Sequence, residues 1–129
     1  MEIYDKLDNK AVGPLDRRNM LEARQFLGML EYERGRKLEG LKLLDTAIEM
    51  LLAMPEIPVD EEDLLFKLAD ACARLAQAIA AGEFQSAEAA SRVEQAIARL
   101  EPLRVPKNSP DKRLASLRVA RRALAQPLR

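Results

Sequence analysis

Cys72 is the one cysteine in the chain, and there is no histidine. The commonest general base and the commonest metal ligand are therefore both missing. Cys72 falls in line with Leu65, Leu68, Leu75 and Ile79, alternately three and four residues apart, on what would be the apolar side of a helix. A thiol there is a small hydrophobe, because a reactive thiolate needs exposure and a basic partner. The acids Asp60, Glu61, Glu62 and Asp63 do not make a cation loop, which alternates its oxygen ligands around a glycine. They suit the positive end of a helix dipole instead. Carboxylate pairs such as Glu31/Glu33 and Asp60/Asp63 are what charged helix faces produce. No glycine-rich phosphate loop, Gly-x-Ser-x-Gly or Cys-x-x-Cys occurs. The expectation is a protein that is not an enzyme, with no catalytic residue, no metal ligand and no cofactor.

Charge offers one further chemistry. The chain is formally neutral, with 21 basic and 21 acidic residues, which argues against a surface devoted to nucleic acid or an acidic membrane. The distribution is uneven, though. Residues 56–70 hold six acids against Lys67, a net of −5, and residues 104–129 hold eight bases against Asp111, a net of +7. Lys107, Lys112, Arg113, Arg118, Arg121, Arg122 and Arg129 could contact phosphates, with Lys112, Arg113, Arg118, Arg121 and Arg122 on one expected helix. Such contacts position a nucleic acid without reading its sequence. No aromatics are interleaved to stack bases, and no helix-turn-helix is recognisable. The other reading is a solvated helix whose bases face an acidic segment, of this subunit or another.

The elements that position these residues are helical. Leu, Ala, Glu and Arg dominate, aromatics are 4%, and such a composition favours helix at nearly every position. The fold class expected is all-α, a small bundle of about four to five helices in antiparallel hairpins. At 129 residues the chain can bury a core without disulfide or metal staples. Residues 1–13 form an N-terminal arm or short helix. Residues 14–101 form the bundle, with helices at about 16–34, 37–54, 61–81 and 84–101, and 102–110 are a proline-rich linker before a basic C-terminal helix at 111–129.

Local signals set those limits. Pro14 suits a first helical position, and Asn19 with Glu22 has capping-box spacing as an alternative start. Met20, Ala23, Leu27 and Leu30 then predict the inner face of the first helix. Gly35 is the first break. The second helix carries Leu38, Leu41, Leu44, Ile48 and Leu51, widened by Leu43, Ala47, Met50 and Met54, and stops at Pro55-Glu56-Ile57-Pro58. Asp60 is the expected cap of the third helix, with Val59 and Leu64 at staple spacing, and Gly82 closes it. Ala89, Val93, Ala96, Ile97 and Leu100 form a thin inner face on the fourth. Leu117, Ala120 and Leu124 oppose Arg118, Arg121 and Arg122 on the fifth.

Leu27-Gly28, Gly35, Gly40, Leu44 and Ala47 resemble a tetratricopeptide repeat, a hairpin of two helices with small residues where they touch. The resemblance covers residues 21–55. It departs from the family in carrying Arg24 for an early aromatic, Glu31 for the central tyrosine, and Pro55 late. A second hairpin echoes it only in Gly82, Glu83, Phe84 and Ala87. The resemblance implies partner binding on a concave face made of Glu22, Gln25, Met29, Tyr32 and Glu33. That set lacks the lysine and asparagine with which some members grip a C-terminal carboxylate. The same glycines also fit one closely packed helix pair inside a single bundle.

Together these features predict a helical protein–protein interaction module: an adaptor, chaperone-like or regulatory subunit. Its partner is another protein or its own copy, for example through the apolar seam of the third helix. A nucleic-acid-associated protein using the basic C-terminal helix is the alternative. No stretch reaches the roughly 20 apolar residues of a membrane span, and the charged N-terminus is unlike a signal peptide. A cytoplasmic protein without membrane partners is expected.

Overall fold

In the computed structural model, residues 14–57, 61–84, 86–103 and 112–125 are described, with side chains from Arg17 in the first helix and from Arg113 in the last. Five helices follow one another: α1 (Pro14–Glu33), α2 (Lys37–Ala53), α3 (Glu62–Ala80), α4 (Ala87–Leu100) and α5 (Lys112–Ala125). The molecule is a small all-α bundle. No strand occurs among the described residues.

Glycine ends two of the helices by the same mechanism. Gly35 and Gly82 adopt φ of 90° and 78°, a conformation that costs a side-chain-bearing residue about 1–2 kcal/mol. After α1, the Gly35 amide donates to the Tyr32 carbonyl (3.2 Å) and the Arg36 amide to the Glu31 carbonyl (2.9 Å). After α3, Gly82 donates to Ile79 (3.1 Å) and Glu83 to Ala78 (2.8 Å). Each pair satisfies helix-end carbonyls that would otherwise lack donors. α1 begins at Pro14, so Asn19 lies inside the helix and is not its cap.

α3 is the centre of the bundle. Ten of its residues are buried, from Leu64 to Ala78, and it touches α1, α2, α4 and α5. Leu65, Leu68, Cys72 and Leu75 are at most 1% exposed, so the seam that could have joined two copies is spent inside one chain. Each buried leucine contributes about 1.5–3 kcal/mol. The cap of α3 is Glu61, without a side-chain bond to the first turn. Its carboxylate is drawn to Arg18 of α1 instead. Asp60 and Val59 lie outside the described residues.

α4 starts at Ala87 because Ser86 accepts the Ala89 amide at 3.1 Å. Phe84, expected as the start, is instead buried in the preceding turn. The inner face of α4 is the expected Ala89, Val93, Ala96, Ile97 and Leu100. α5 lies along α3 and buries Leu117, Ala120 and Ala123. The basic C-terminal helix therefore belongs to the bundle core, while the linker residues 104–110 lie outside the described residues.

Arginines tie the helices together. Arg92 of α4 forks onto Asp45 of α2 at 2.8 and 2.6 Å. The hydrogen bond to Asp45 raises the Arg92 pKa. Arg99 donates to the carbonyls of Leu51 (2.7 Å), Leu52 and Pro55 (both 3.4 Å), placing a cation at the negative end of α2.

Candidate functional site

The geometry of α1 follows from two glycines. A Cβ on Gly40 would lie 2.6 Å from the Gly28 carbonyl oxygen and 2.7 Å from the Tyr32 amide nitrogen. One on Gly28 would lie 2.9 Å from Leu44 Cγ and Cδ2. Only hydrogen fits at either place. This contact decides which side of α1 turns inward: Leu21, Gln25 and Gly28 are buried and Tyr32 half-buried, on one face by helical spacing.

The inner face is therefore not the expected Met20–Ala23–Leu27–Leu30. Met20 is buried, but Ala23, Leu27 and Leu30 are only half-buried, and Phe26 is 60% exposed. These last four share the opposite side of α1. An aromatic ring in water amid aliphatic neighbours is the kind of surface that marks an interaction site. Leu38, expected inside, is also exposed, but it stands apart from them in sequence, on α2.

Between α1 and α2 runs a groove of about 420 Å³, lined by Arg17, Arg24, Thr46, Met50 and Ala53. Arg24 Nη1 lies 3.2 Å from Met50 Sδ, which puts a guanidinium beside a flexible thioether. The groove runs along the α1–α2 seam, on a different side of α1 from Phe26, which stands two residues from Arg24. It offers shape, apolar contact and positive charge, but no acid–base pair.

The five residues of the expected concave face do not form one free surface. Gln25 is 4% exposed. Met29 is half-buried against the core. The Tyr32 ring is flanked by Arg74 of α3 (5.5 Å) and Lys37 (5.9 Å). Glu22 pairs with Arg18 at 3.0 Å. Glu33 is exposed. The face they were assigned to is where α1 meets the rest of the bundle.

The basic helix is also partly committed. Arg113 is 4% exposed and donates from Nη2 to the Leu103 carbonyl at 2.7 Å, so it is no phosphate contact. Arg121 forks onto Glu101 at 2.8 and 2.6 Å. That hydrogen bond holds the Glu101 carboxyl below its ordinary range. Arg118 and Arg122 are exposed; the side chain of Lys112 lies outside the described residues.

Cys72 is fully buried, and burial pushes its thiol up to about 12, far from thiolate chemistry at neutral pH. Among the described residues, no cluster of three or more His, Cys, Asp and Glu side chains is placed to hold a metal ion. No described helix is long and apolar enough to cross a membrane. Compared with protein-family models, curated proteins and solved structures, the chain matches none.

The outer face of α1 could have been noticed in the sequence. Phe26, on that face, is one of only three phenylalanines. What concealed it was that Ala23, Leu27 and Leu30 make an equally good core stripe.

Proposed function

We propose that this protein is a non-enzymatic helical interaction module, an adaptor, chaperone-like or regulatory subunit, that binds a protein segment on the outer surface of α1 and α2. The observation that carries this reading is Phe26, 60% exposed, on the same side of the helix as Ala23, Leu27 and Leu30. Burying such a side chain against a partner would contribute about 1.5–3 kcal/mol. Met50, in the groove along the α1–α2 seam on another side of α1, offers an adaptable contact of its own. The tetratricopeptide-like reading of residues 21–55 is supported by the Gly28–Gly40 approach and the Gly35 turn. The burial of Gln25 and the packing of Met29 and Tyr32 against the bundle, not that resemblance, place the proposed surface away from these three residues. The single buried thiol fits a reducing, cytoplasmic setting.

The test is co-purification of the full chain from its source cells. A stoichiometric partner that is retained by Leu38→Asp and lost with Phe26→Asp supports this surface. Retention with Phe26→Asp, at unchanged helical content, contradicts it. Nucleic-acid binding through α5 remains the second reading, resting on the exposed Arg118 and Arg122. It requires salt-sensitive binding that is lost in R118E/R122E.

A further inference from the structure

The chain has five methionines and one cysteine, and the fold sorts these sulfurs by access. A cysteine thiolate is ordinarily the first target of a peroxide. Cys72 is buried, and burial pushes its thiol up to about 12, so it stays protonated and out of reach. Met20 is 2% exposed. Met29 and Met54 are half-buried against the core. Met50 is half-buried too, but it lines the α1–α2 groove. A molecule little larger than water can enter that volume of about 420 Å³. There Arg24 Nη1 lies 3.2 Å from Met50 Sδ, a charged donor set against a weak acceptor. A sulfoxide oxygen accepts far better than a thioether, and its bond to a guanidinium would be charge-assisted.

We propose that Met50 is a reversible oxidation site whose sulfoxide is held by Arg24. The oxidant is hydrogen peroxide. A sulfur lone pair attacks one peroxide oxygen, and the S–O bond forms as the O–O bond breaks and hydroxide leaves. The proton on the transferred oxygen passes to that hydroxide, so the products are the sulfoxide and one water. Sulfur gives up two electrons and the peroxide takes them. The guanidinium stays charged throughout. It carries five N–H donors, so meeting the new oxygen requires no other contact of Arg24 to break. Both side chains turn on rotatable bonds, and Met50 opens onto the groove, so the added oxygen fits without repacking. Met20, enclosed on all sides, has no such outlet. Oxidation makes the wall formed by Met50 and Ala53 polar and ties α2 to α1 by a charged hydrogen bond. Enzymatic reduction of the sulfoxide undoes the change. The groove's surface chemistry is thereby switched while the fold is kept.

The test treats the full chain with dilute hydrogen peroxide at neutral pH and maps the products by peptide mass spectrometry. Met50 should oxidise about tenfold or more faster than Met20, and ahead of Met29 and Met54, while Cys72 remains a thiol. Thermal unfolding followed by circular dichroism then reads the role of Arg24. Each protein is treated until Met50 is fully converted, and its M50L counterpart, treated alike, subtracts the effect of the other methionines. In the parent, Met50 oxidation should leave the Tm unchanged. In R24L it should lower the Tm by about 3 °C, because a half-buried oxygen then lacks its donor. R24K, which restores a charged donor, should behave as the parent. Methionine sulfoxide reductases should return the Met50 peptide of the folded protein to its starting mass. Oxidation of Met20, Met29 or Met54 ahead of Met50 overturns the assignment. So does a parent Tm that falls as far as that of R24L, and a sulfoxide that the reductases leave in place overturns its reversibility.

Discussion

Replacing Gly40 with alanine tests the packing on which the orientation of α1 depends. In an open helix, glycine to alanine stabilises by about 1 kcal/mol. Here the new methyl would sit 2.6 Å from one backbone oxygen, 2.7 Å from a backbone nitrogen and 3.0 Å from the Tyr32 Cα. None of these atoms belongs to a side chain that can turn away. α1 and α2 must separate by several tenths of an ångström, and a gap of that size forfeits a substantial part of the dispersion contact along the crossing. Overpacking of this kind costs roughly 1–3 kcal/mol, and rigid backbone neighbours favour the upper end. The net expectation for Gly40→Ala is a loss of about 2 kcal/mol once the propensity gain is subtracted. For a chain of this size that lowers the Tm by roughly 8 °C. Gly28→Ala, which meets the buried Leu44, should also destabilise. The double variant should lose less than the two losses added, by about 1 kcal/mol, because the first methyl has already opened the crossing. Gly35→Ala is the control: nothing lies within 4 Å of its added Cβ, so its cost of about 1 kcal/mol is conformational alone. Urea denaturation followed by circular dichroism reads all four. A Gly40→Ala protein as stable as the parent, or more stable, would refute the close approach.

Three further predictions concern the interior and the ion pairs. Arg92→Ala should cost about 2 kcal/mol by leaving the Asp45 carboxylate, whose side chain is 12% exposed, without its fork; unchanged urea stability would mean that solvent replaces the guanidinium there. Cys72 should resist a thiol reagent at pH 8 in the native protein and react stoichiometrically in denaturant, because its pKa is about 12 and its side chain is buried. Rapid labelling of the native protein would contradict that burial. Glu101 has its pKa lowered from the ordinary 4.5 by the hydrogen bond from Arg121, so the unfolded chain binds its proton more readily. The pair therefore adds stability above pH 4.5 that fades as the pH falls through the folded value. Glu101→Gln should show a small Tm deficit at neutral pH that closes in acid, and a deficit independent of pH would contradict the linkage.

The helical class was legible because leucine, alanine and charged residues at helical spacing leave the backbone no competing conformation. The inner faces of α3 and α4 were legible for a related reason: Leu65–Leu68–Cys72–Leu75 and Ala89–Val93–Ala96–Ile97–Leu100 each keep apolar residues at helical spacing, although burial on α3 spreads beyond its seam to Leu64, Ala69, Ala71, Ala73, Ala76 and Ala78. α1 differs, because it has two candidate stripes. Leu21, Gln25, Gly28 and Tyr32 look the more polar by composition, yet they form the inner side. Gly28 permits the backbone approach that gains most contact, and that single crossing sets the rotation of the whole helix. Periodicity measures hydrophobicity per face; it does not register where a missing side chain lets two backbones meet. Arg113 eluded pattern reading in a similar way. A guanidinium on a basic helix looks solvent-bound until a carbonyl from a distant turn, that of Leu103, is seen to receive it.

Hydrogen–deuterium exchange on the full chain, with and without its co-purified partner, tests the central claim most directly. Binding on the outer surface of the first hairpin predicts slowed exchange across Arg17–Leu30 and Leu43–Ala53, with α5 unchanged. Protection confined to α5, with α1 and α2 exchanging as in the free protein, would contradict it.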